Sequence, residues 1–219
     1  MEPLIIQPIV EGHGEVDSVG ILLRRMLAEI QIYNVFIKRP MRWPKSKLIN
    51  VEELKKRVQL ANINLGAANK KAIIIIFDAD DDCPRDLVNR LLGPVKVVAG
   101  NTPCTIIIAK HEYESWFLGC IESLRGKRSI NTDATFNEDP ENISGAKGRL
   151  EEMMNRSYQE TTDQAALTAQ MNFENCYQNC RSFRKLAKDI FVIVRDLGYV
   201  YFTETNWGNL IANEIRNNV

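Results

Sequence analysis

Short apolar runs separated by polar turns dominate the first half of the chain. Residues 72–77 (AIIIIF) are six apolar positions in succession, and such a run is typical of a strand buried on both faces of a parallel sheet. Similar runs predict further strands at residues 4–10, 33–37, 94–99 and 105–109.

The segments between these runs carry apolar residues at steps of three and four, which predicts amphipathic helices. Capping residues mark some ends: Asn50 with Glu53 begins a helix that stops at Gly66, and Ser182 begins one that stops at Gly198. Residues 161–176 show little periodicity. The predicted helices cover residues 15–30, 50–65, 84–92, 144–154 and 182–197, with a short amphipathic piece near residue 211.

The alternation of strands and helices predicts an α/β fold with a mostly parallel, Rossmann-like sheet flanked by helices. The pattern changes near residue 120, after which no strand is predicted. We therefore expect residues 1–120 to form the α/β core and residues 121–219 to form an α-helical extension packed on it as one compact unit.

Composition narrows the class of protein. The 219 residues include 28 Lys and Arg and 28 Asp and Glu, so the balanced charge argues against a uniformly basic nucleic-acid coat. The five cysteines lack zinc-type spacing and are expected to be reduced thiols. No apolar stretch approaches the ~20 residues needed to span a bilayer, and the N-terminus lacks a signal-peptide pattern. We expect a cytoplasmic protein without membrane segments.

Acidic residues follow three of the predicted strands. Because the carboxyl ends of parallel strands meet at one edge of the sheet, these side chains are expected to converge. Clustered carboxylates repel one another unless a cation lies between them, and hard oxygen ligands suit Mg²⁺ or Mn²⁺. The candidates are Glu11 after the first strand, Asp78, Asp80 and Asp82 after the central strand, and Glu112 and Glu114 after the strand at 105–109.

Each acid also has a simpler interpretation. Asp82 suits the N-cap of a helix starting at Pro84, and Glu11 suits an ordinary loop. Glu112 and Glu114 share a face only if their segment is extended; in a helix one of them would instead compensate the helix dipole. His111 is expected to be a hydrogen-bonded neighbour and not a ligand.

A basic segment, KRPMRWPKSK, follows the second predicted strand. Cations around an aromatic side chain suit a phosphate backbone and a stacked base. The alternative is a solvated loop whose Trp43 packs into the core. The candidate nucleic-acid-binding residues are Lys38, Arg39, Arg42, Trp43, Lys45 and Lys47.

Two of these motifs, VEGHGE and FDADDD, resemble the glutamate and DxD motifs of the Toprim domain, which occurs in topoisomerases, primases and OLD-type nucleases. The segments HEYESW, SGAKGRL, TTDQAALTA and RSFRKL are similar to a bacterial family of Toprim-like proteins of unassigned activity. Members of that family are commonly encoded beside ABC- or AAA-type ATPases. The resemblance implies a Toprim-like fold over nearly the whole chain.

The resemblance also implies site roles. Glu11 would be a general acid/base or metal ligand, Asp78 and Asp80 would be metal ligands, and Glu114 and Lys147 would complete the site. His111 stands where a more basic residue is expected. The sequence assigns no role to Asp163 and Gln164 of TTDQAALTA.

Together these features predict a Mg²⁺- or Mn²⁺-dependent nuclease or phosphodiesterase acting on DNA or RNA, the effector of an ATPase partner in a bacterial defence system. A non-catalytic, metal-stabilised module that binds nucleic acid or the ATPase is the alternative. A phosphoacceptor domain with a nucleophilic aspartate is a third hypothesis, although the site is richer in acids than that chemistry needs.

Overall fold

A parallel β-sheet organises the structure, a computed structural model that describes residues 2–217. Its strands are β1 (Leu4–Val10), β2 (Val35–Ile37), β3 (Met41–Arg42), β4 (Lys71–Asp78) and β5 (Cys104–Ala109). The order is β2-β1-β4-β5, with β3 also paired to β1 beyond the end of β2, and every pairing is parallel. The fold is therefore α/β with a mostly parallel sheet flanked by helices, as predicted.

Helices cover both faces of this sheet. Among the described residues, none is both long and apolar enough to cross a membrane. The helices are α1 (His13–Glu29), α2 (Lys45–Leu48), α3 (Val51–Leu65), α4 (Pro84–Ala99), α5 (Ser115–Leu118), α6 (Ile121–Leu124), α7 (Ala146–Glu152), α8 (Glu160–Thr168), α9 (Phe173–Asn179), α10 (Arg181–Asp196) and α11 (Asn206–Asn217).

The central strand β4 separates two apolar cores. Ile74 and Ile76 pack into one core with α1 and the helices that follow residue 120, whereas Ile73, Ile75 and Phe77 pack into the other core with α3 and α4. Because both faces are buried, the strand needs an unbroken apolar run, as its sequence suggested.

The predicted strand at residues 94–99 is wrong, because α4 continues through it to Ala99. Leu87, Leu91, Val95 and Ala99 recur every four residues and form the buried stripe of one long helix. Pro94 lies inside this helix and supplies no backbone donor there. Packing of the whole stripe against the sheet outweighs the local preference of proline and valine for extended backbone.

The ends of the other helices agree with the sequence in part. The Asn50 side chain accepts a 3.1 Å hydrogen bond from the Glu53 amide, and Gly198 has a left-handed φ of 73° just beyond α10. Ser182 is not the N-cap of α10, since Cys180 holds that position. The helix is capped from a distance: the Glu141 carboxylate accepts the amides of Arg181 and Ser182, both at 2.8 Å.

The stretch with little periodicity contains two helices, α8 and α9. The buried face of α8 includes Asp163, Gln164 and Thr168 beside the apolar Leu167. Because polar side chains occupy most of this buried stripe, hydrophobic periodicity could not reveal the helix. This helix packs along α1 and so reaches the carboxyl edge of the sheet.

Candidate functional site

Several carboxyl groups surround Asp78 at the carboxyl edge of the sheet. Glu11 follows directly after Val10, whose register partner Ile76 lies two residues before Asp78. The pKa of Asp78 is raised well above its ordinary value, first by burial and then by the charges of Glu15, Glu114, Glu11 and Asp80. Three strand ends and the first turn of α1 thus contribute acids to one place, which we call the acidic centre.

Two oxygens of the acidic centre accept no hydrogen bond from the described residues. They are Glu11 Oε2 and Asp78 Oδ1, and both are shielded from solvent. The pKa of Glu11 is raised by burial and by Asp80, against the opposing effects of Lys45 and the Asp78 amide. Since a buried ionised oxygen without a partner is costly, the centre requires protons or a cation.

Glu15 is a member of the acidic centre that sequence reasoning missed. An acid at the start of a helix ordinarily points to solvent and favours the helix dipole, but the Glu15 side chain is buried in the first turn of α1. Burial raises its pKa to about 8, and Glu114, Glu11 and Glu160 add to the effect against a hydrogen bond from the Gly12 amide. Its place in VEGHGE, four residues after Glu11, was the available signal.

The glycines of VEGHGE make room for these acids. A Cβ at Gly12 would overlap the Glu15 carboxylate. A Cβ at Gly14 would lie 2.5 Å from Gln164 Oε1 and 2.9 Å from Glu160 Cγ, both on α8. Glycine at these two positions therefore allows the close approach of side chains of the site.

Glu114 is fixed in the centre by neutral donors. The Tyr158 hydroxyl donates to its Oε1 at 2.9 Å, and Gln164 Nε2 lies 3.4 Å from the same oxygen. Gln164 is itself oriented by Ser18, whose hydroxyl donates to Oε1 of the amide at 2.8 Å. The pKa of Glu114 is nevertheless raised, because burial outweighs the hydrogen bond from Tyr158.

Glu112 and Lys147 form the rim of the centre. The Glu112 carboxylate accepts a 2.8 Å hydrogen bond from the Lys147 amide at the start of α7. Glu112 and Glu114 therefore have different hydrogen-bond partners. The Lys147 ammonium donates to Glu160 Oε2 at 2.8 Å, and this hydrogen bond raises the lysine pKa. Arg149, two residues further along α7, pairs with Glu138 and Glu152.

Asp80 and His111 link the exits of β4 and β5. Both have left-handed backbone conformations, with φ of 48° and 61°, which is strained for residues other than glycine. The Asp80 amide donates to the His111 carbonyl at 2.9 Å, and His111 Nδ1 lies 2.8 Å from the Asp80 carbonyl. His111 is thus a hydrogen-bonded neighbour, and the backbone is left-handed at the exits of both strands.

The family model described as "Domain of unknown function (DUF4276)" matches residues 10–190. The chain belongs to this family. No curated protein and no solved structure matches the chain. The span matched by the DUF4276 model contains every residue of the acidic centre, from Glu11 to Gln164.

Lys45, from the basic segment, is a resident cation of the DUF4276 acidic centre. Its ammonium donates to Asp80 Oδ2 and to the Ala79 carbonyl, both at 2.7 Å, and lies 3.6 Å from Asp82. Asp82 is exposed and is not the N-cap of α4, because Cys83 holds that position. Lys45 therefore neutralises part of the charge that the sequence assigned to a metal.

Trp43 packs against the core on the α3–α4 face of the sheet. The Arg57 guanidinium covers its ring, 3.6 Å from the centroid. This arrangement agrees with the alternative in which Trp43 packs into the core. The Arg57 guanidinium occupies the ring face on which a base would stack.

The other cations of the basic segment are only partly available. Lys47 pairs with Glu53 at 3.3 Å, and the Lys38 ammonium donates to the Asn64 carbonyl. With Lys45 committed to Asp80, most of the positive charge is used within the protein. Arg39, Arg42 and Lys47 are exposed, and the Arg42 guanidinium also lies 3.4 Å from the Glu11 carbonyl.

Asp163, to which the sequence assigned no role, anchors α8. Its buried carboxylate accepts hydrogen bonds from Arg156 and Arg128, each at 2.7 Å, and from the Gln159 amide at 2.8 Å. Burial opposes ionisation of Asp163, but these donors outweigh it and lower the pKa to about 2. The ion pairs hold the helix that places Gln164 against Glu114.

The donor set suits a hard divalent cation in chemistry, because it consists of carboxylates and includes the orphaned oxygens of Glu11 and Asp78. Within residues 2–217, however, no three His, Cys, Asp or Glu side chains converge closely enough to hold an ion as they stand. Asp80 is directed to Lys45 instead. A complete ligand set would require Asp80 to exchange this lysine for the ion.

Proposed function

We propose that this DUF4276 protein is a Mg²⁺- or Mn²⁺-dependent phosphodiesterase of Toprim type that acts on DNA or RNA. The observation that carries the proposal is the pair of buried, unpartnered oxygens of Glu11 and Asp78, which come from neighbouring strands and lie among further acids. A fold gains no stability from such an arrangement, but a bound cation would supply the missing partner.

Glu11 and Asp78 would hold the ion, joined by Asp80 once it leaves Lys45. When bound, the ion would polarise a phosphate oxygen and lower the pKa of a water molecule. Lys45 would thus compete with the ion for Asp80, and without the ion it neutralises part of the charge of the acidic centre.

The chain's own groups supply proton and charge chemistry around this position. Glu15, whose pKa is about 8 in the metal-free protein, lies where it could take up or release a proton, which suits a general acid or base. Tyr158 and Gln164 fix Glu114, so that this carboxyl cannot rotate away from the centre. Lys147, at the rim, can offset negative charge on a phosphate.

The alternative function is a non-catalytic module stabilised by metal, which binds nucleic acid or an ATPase. The observation in its favour is that two ion pairs, Lys45–Asp80 and Lys147–Glu160, already neutralise acids of the centre. Under this alternative, metal would raise the melting temperature without any turnover.

An ABC- or AAA-type ATPase partner, in a bacterial defence system, is part of the proposal. Its support is the sequence resemblance carried by SGAKGRL and RSFRKL. The measurement is whether the ATPase encoded beside the gene, with ATP, raises the rate of nucleic-acid cleavage by the purified chain. No change in rate would remove the ATPase from the proposal.

The test of catalysis compares cleavage of plasmid DNA and of RNA by the parent protein, Asp78→Asn and Asp86→Asn. Asp86 is an exposed aspartate in the first turn of α4 and is the matched control. We expect Mg²⁺- or Mn²⁺-dependent cleavage that falls by at least about 100-fold in Asp78→Asn, the loss typical of a removed electrostatic contact to the transition state. Equal rates in all three proteins would contradict the proposal.

A further inference from the structure

A concave feature also lies at the carboxyl edge of the sheet, between the first turns of α4 and α10. It is a cleft of about 630 Å³, bounded also by the end of β5 and by residues 139–142. This volume is within the range of small-ligand sites. We refer to it as the α4–α10 cleft.

Three cations in the cleft have no side-chain partner among the described residues. They are Arg85 from the first turn of α4, Lys110 directly after β5, and Arg181 from the first turn of α10. Three positive charges that no side chain of the described residues neutralises thus line one cavity. They favour an anionic ligand.

The acids of the cleft are already engaged by the protein. Asp139 accepts the Glu141 amide at 2.9 Å and the Asn142 side chain at 3.0 Å. Glu141 accepts the two amides at the start of α10 and the Ser182 hydroxyl. The helix N-terminus is thus occupied, and the positive character of the cleft comes from its side chains.

Apolar side chains line the cleft between these charges. Pro84, Val88 and Ile108 contribute to its wall. A ligand with both an apolar face and a phosphate suits this lining, since the face can lie on the apolar wall while the phosphate meets the cations. A nucleotide has these two parts.

The segments that line the cleft adjoin those that carry the acidic centre along the chain. Lys110 and Glu112 are two residues apart, so their Cα atoms lie within about 7 Å of each other. Cys83 and Pro84 follow directly on the DxD segment that carries Asp80. A strand that crosses the acidic centre can therefore place an adjoining nucleotide in the cleft.

We propose that the α4–α10 cleft is a nucleotide-phosphate site, in which Arg85, Lys110 and Arg181 hold the phosphate of a unit next to the one at the acidic centre. This inference deepens the proposed function and rests on it, because it assumes that the strand crosses the acidic centre as the substrate. The shared chemistry is a nucleotide phosphate, supplied either by a free nucleotide or by a nucleic-acid strand.

The experiment measures binding of a fluorescent 12-nucleotide single strand by anisotropy, with the full chain in EDTA so that no metal-dependent cleavage occurs. Arg85→Ala/Arg181→Ala is compared with Arg24→Ala/Lys96→Ala, which removes two exposed cations from α1 and α4 outside the cleft. Unlabelled AMP, added as a competitor, distinguishes a free nucleotide from a strand. The single charge reversal Arg85→Glu repeats the test if the double variant fails to fold.

We expect the cleft variant to bind at least about 10-fold more weakly than the control variant. Its slope of log affinity against log salt should be smaller by about 1.4, for two lost phosphate contacts on a single strand. Equal affinity of the two variants, or no binding of strand or AMP by the parent protein, would overturn the proposal.

The two proposals fail separately in these experiments. Cleft-dependent binding without cleavage in Mg²⁺ or Mn²⁺ would keep the cleft and remove the phosphodiesterase. Cleavage with an unchanged KM in Arg85→Ala/Arg181→Ala would keep the phosphodiesterase and remove the cleft.

Discussion

Replacing Glu15 by glutamine should flatten the dependence of stability on pH. Glu15 is 3% exposed, and its pKa rises from 4.5 to about 8 in the folded protein. Above pH 4.5 the unfolded chain releases this proton, whereas the folded chain keeps it until about pH 8. The free energy of unfolding therefore falls as pH rises through this window, by about 1.4 kcal/mol per pH unit.

The whole window corresponds to about 5 kcal/mol, since the pKa rises by about 3.5 units from 4.5 to about 8. Glutamine has nearly the same shape and carries no charge, so Glu15→Gln should match the parent protein near pH 4.5. At pH 8 the variant should be the more stable of the two by several kcal/mol. Because the Glu15 charge also raises the pKa of Asp78, the difference between the two proteins reports the titration of Glu15 together with its coupling to the neighbouring acids.

The assay is urea unfolding of both proteins in EDTA at half-unit steps from pH 5 to pH 8.5. Asp17→Asn, which removes an exposed acid from the same helix, controls for the loss of a carboxylate as such. Parallel stability curves for the parent protein and Glu15→Gln would refute the reasoning, because they would mean that Glu15 is not buried among other acids.

Three further predictions concern the acidic centre and its glycine turn. Asp78→Asn should raise the free energy of unfolding in EDTA by about 1–2 kcal/mol, measured by thermal melts. The same substitution should abolish the rise in melting temperature that Mn²⁺ causes in the parent protein. A rise equal to that of the parent protein would contradict a metal at Asp78. Lys45→Ala should tighten Mn²⁺ binding about tenfold by calorimetry, or about 1.4 kcal/mol, because Asp80 loses its competing cation; weaker binding would argue against exchange. Gly14→Ala should cost about 1–3 kcal/mol in urea unfolding, because its Cβ would lie 2.5 Å from Gln164 Oε1. Gly20→Ala, in the same helix with nothing within 4 Å, should be stabilising, and equal effects of the two substitutions would exclude a close contact at Gly14.

The sheet and part of the acidic centre could be predicted because they follow from local sequence. The run at 72–77 required burial on both faces, and parallel pairing then placed Glu11 and Asp78 at one edge. The continuation of α4 past Pro94 could not be predicted in the same way. Its buried apolar stripe stabilises the helix only when it packs against the sheet, and local sequence does not show that packing.

The sequence did not predict that α8 contributes to the acidic centre, and the reason is different. Hydrophobic periodicity detects helices that bury apolar side chains, but α8 buries Asp163 and Gln164. Asp163 is stabilised by two arginines that lie before the helix in the sequence, and neither spacing nor composition relates them to it. The Lys45–Asp80 pair was missed likewise, because it joins residues that are 35 positions apart.

The same polar burial gives the strongest argument that the acidic centre has a function. Ion pairs account for the burial of Asp163, and hydrogen bonds in part for that of Glu114, but nothing in the described residues compensates the orphaned oxygen of Asp78. A neutral isostere would remove that cost, so selection for stability alone would not retain the carboxylate. The proposal therefore requires that Asp78→Asn, which stabilises the metal-free protein, also removes its response to metal. If Asp78→Asn were destabilising and still bound Mn²⁺, Asp78 would be a structural residue of the sheet edge.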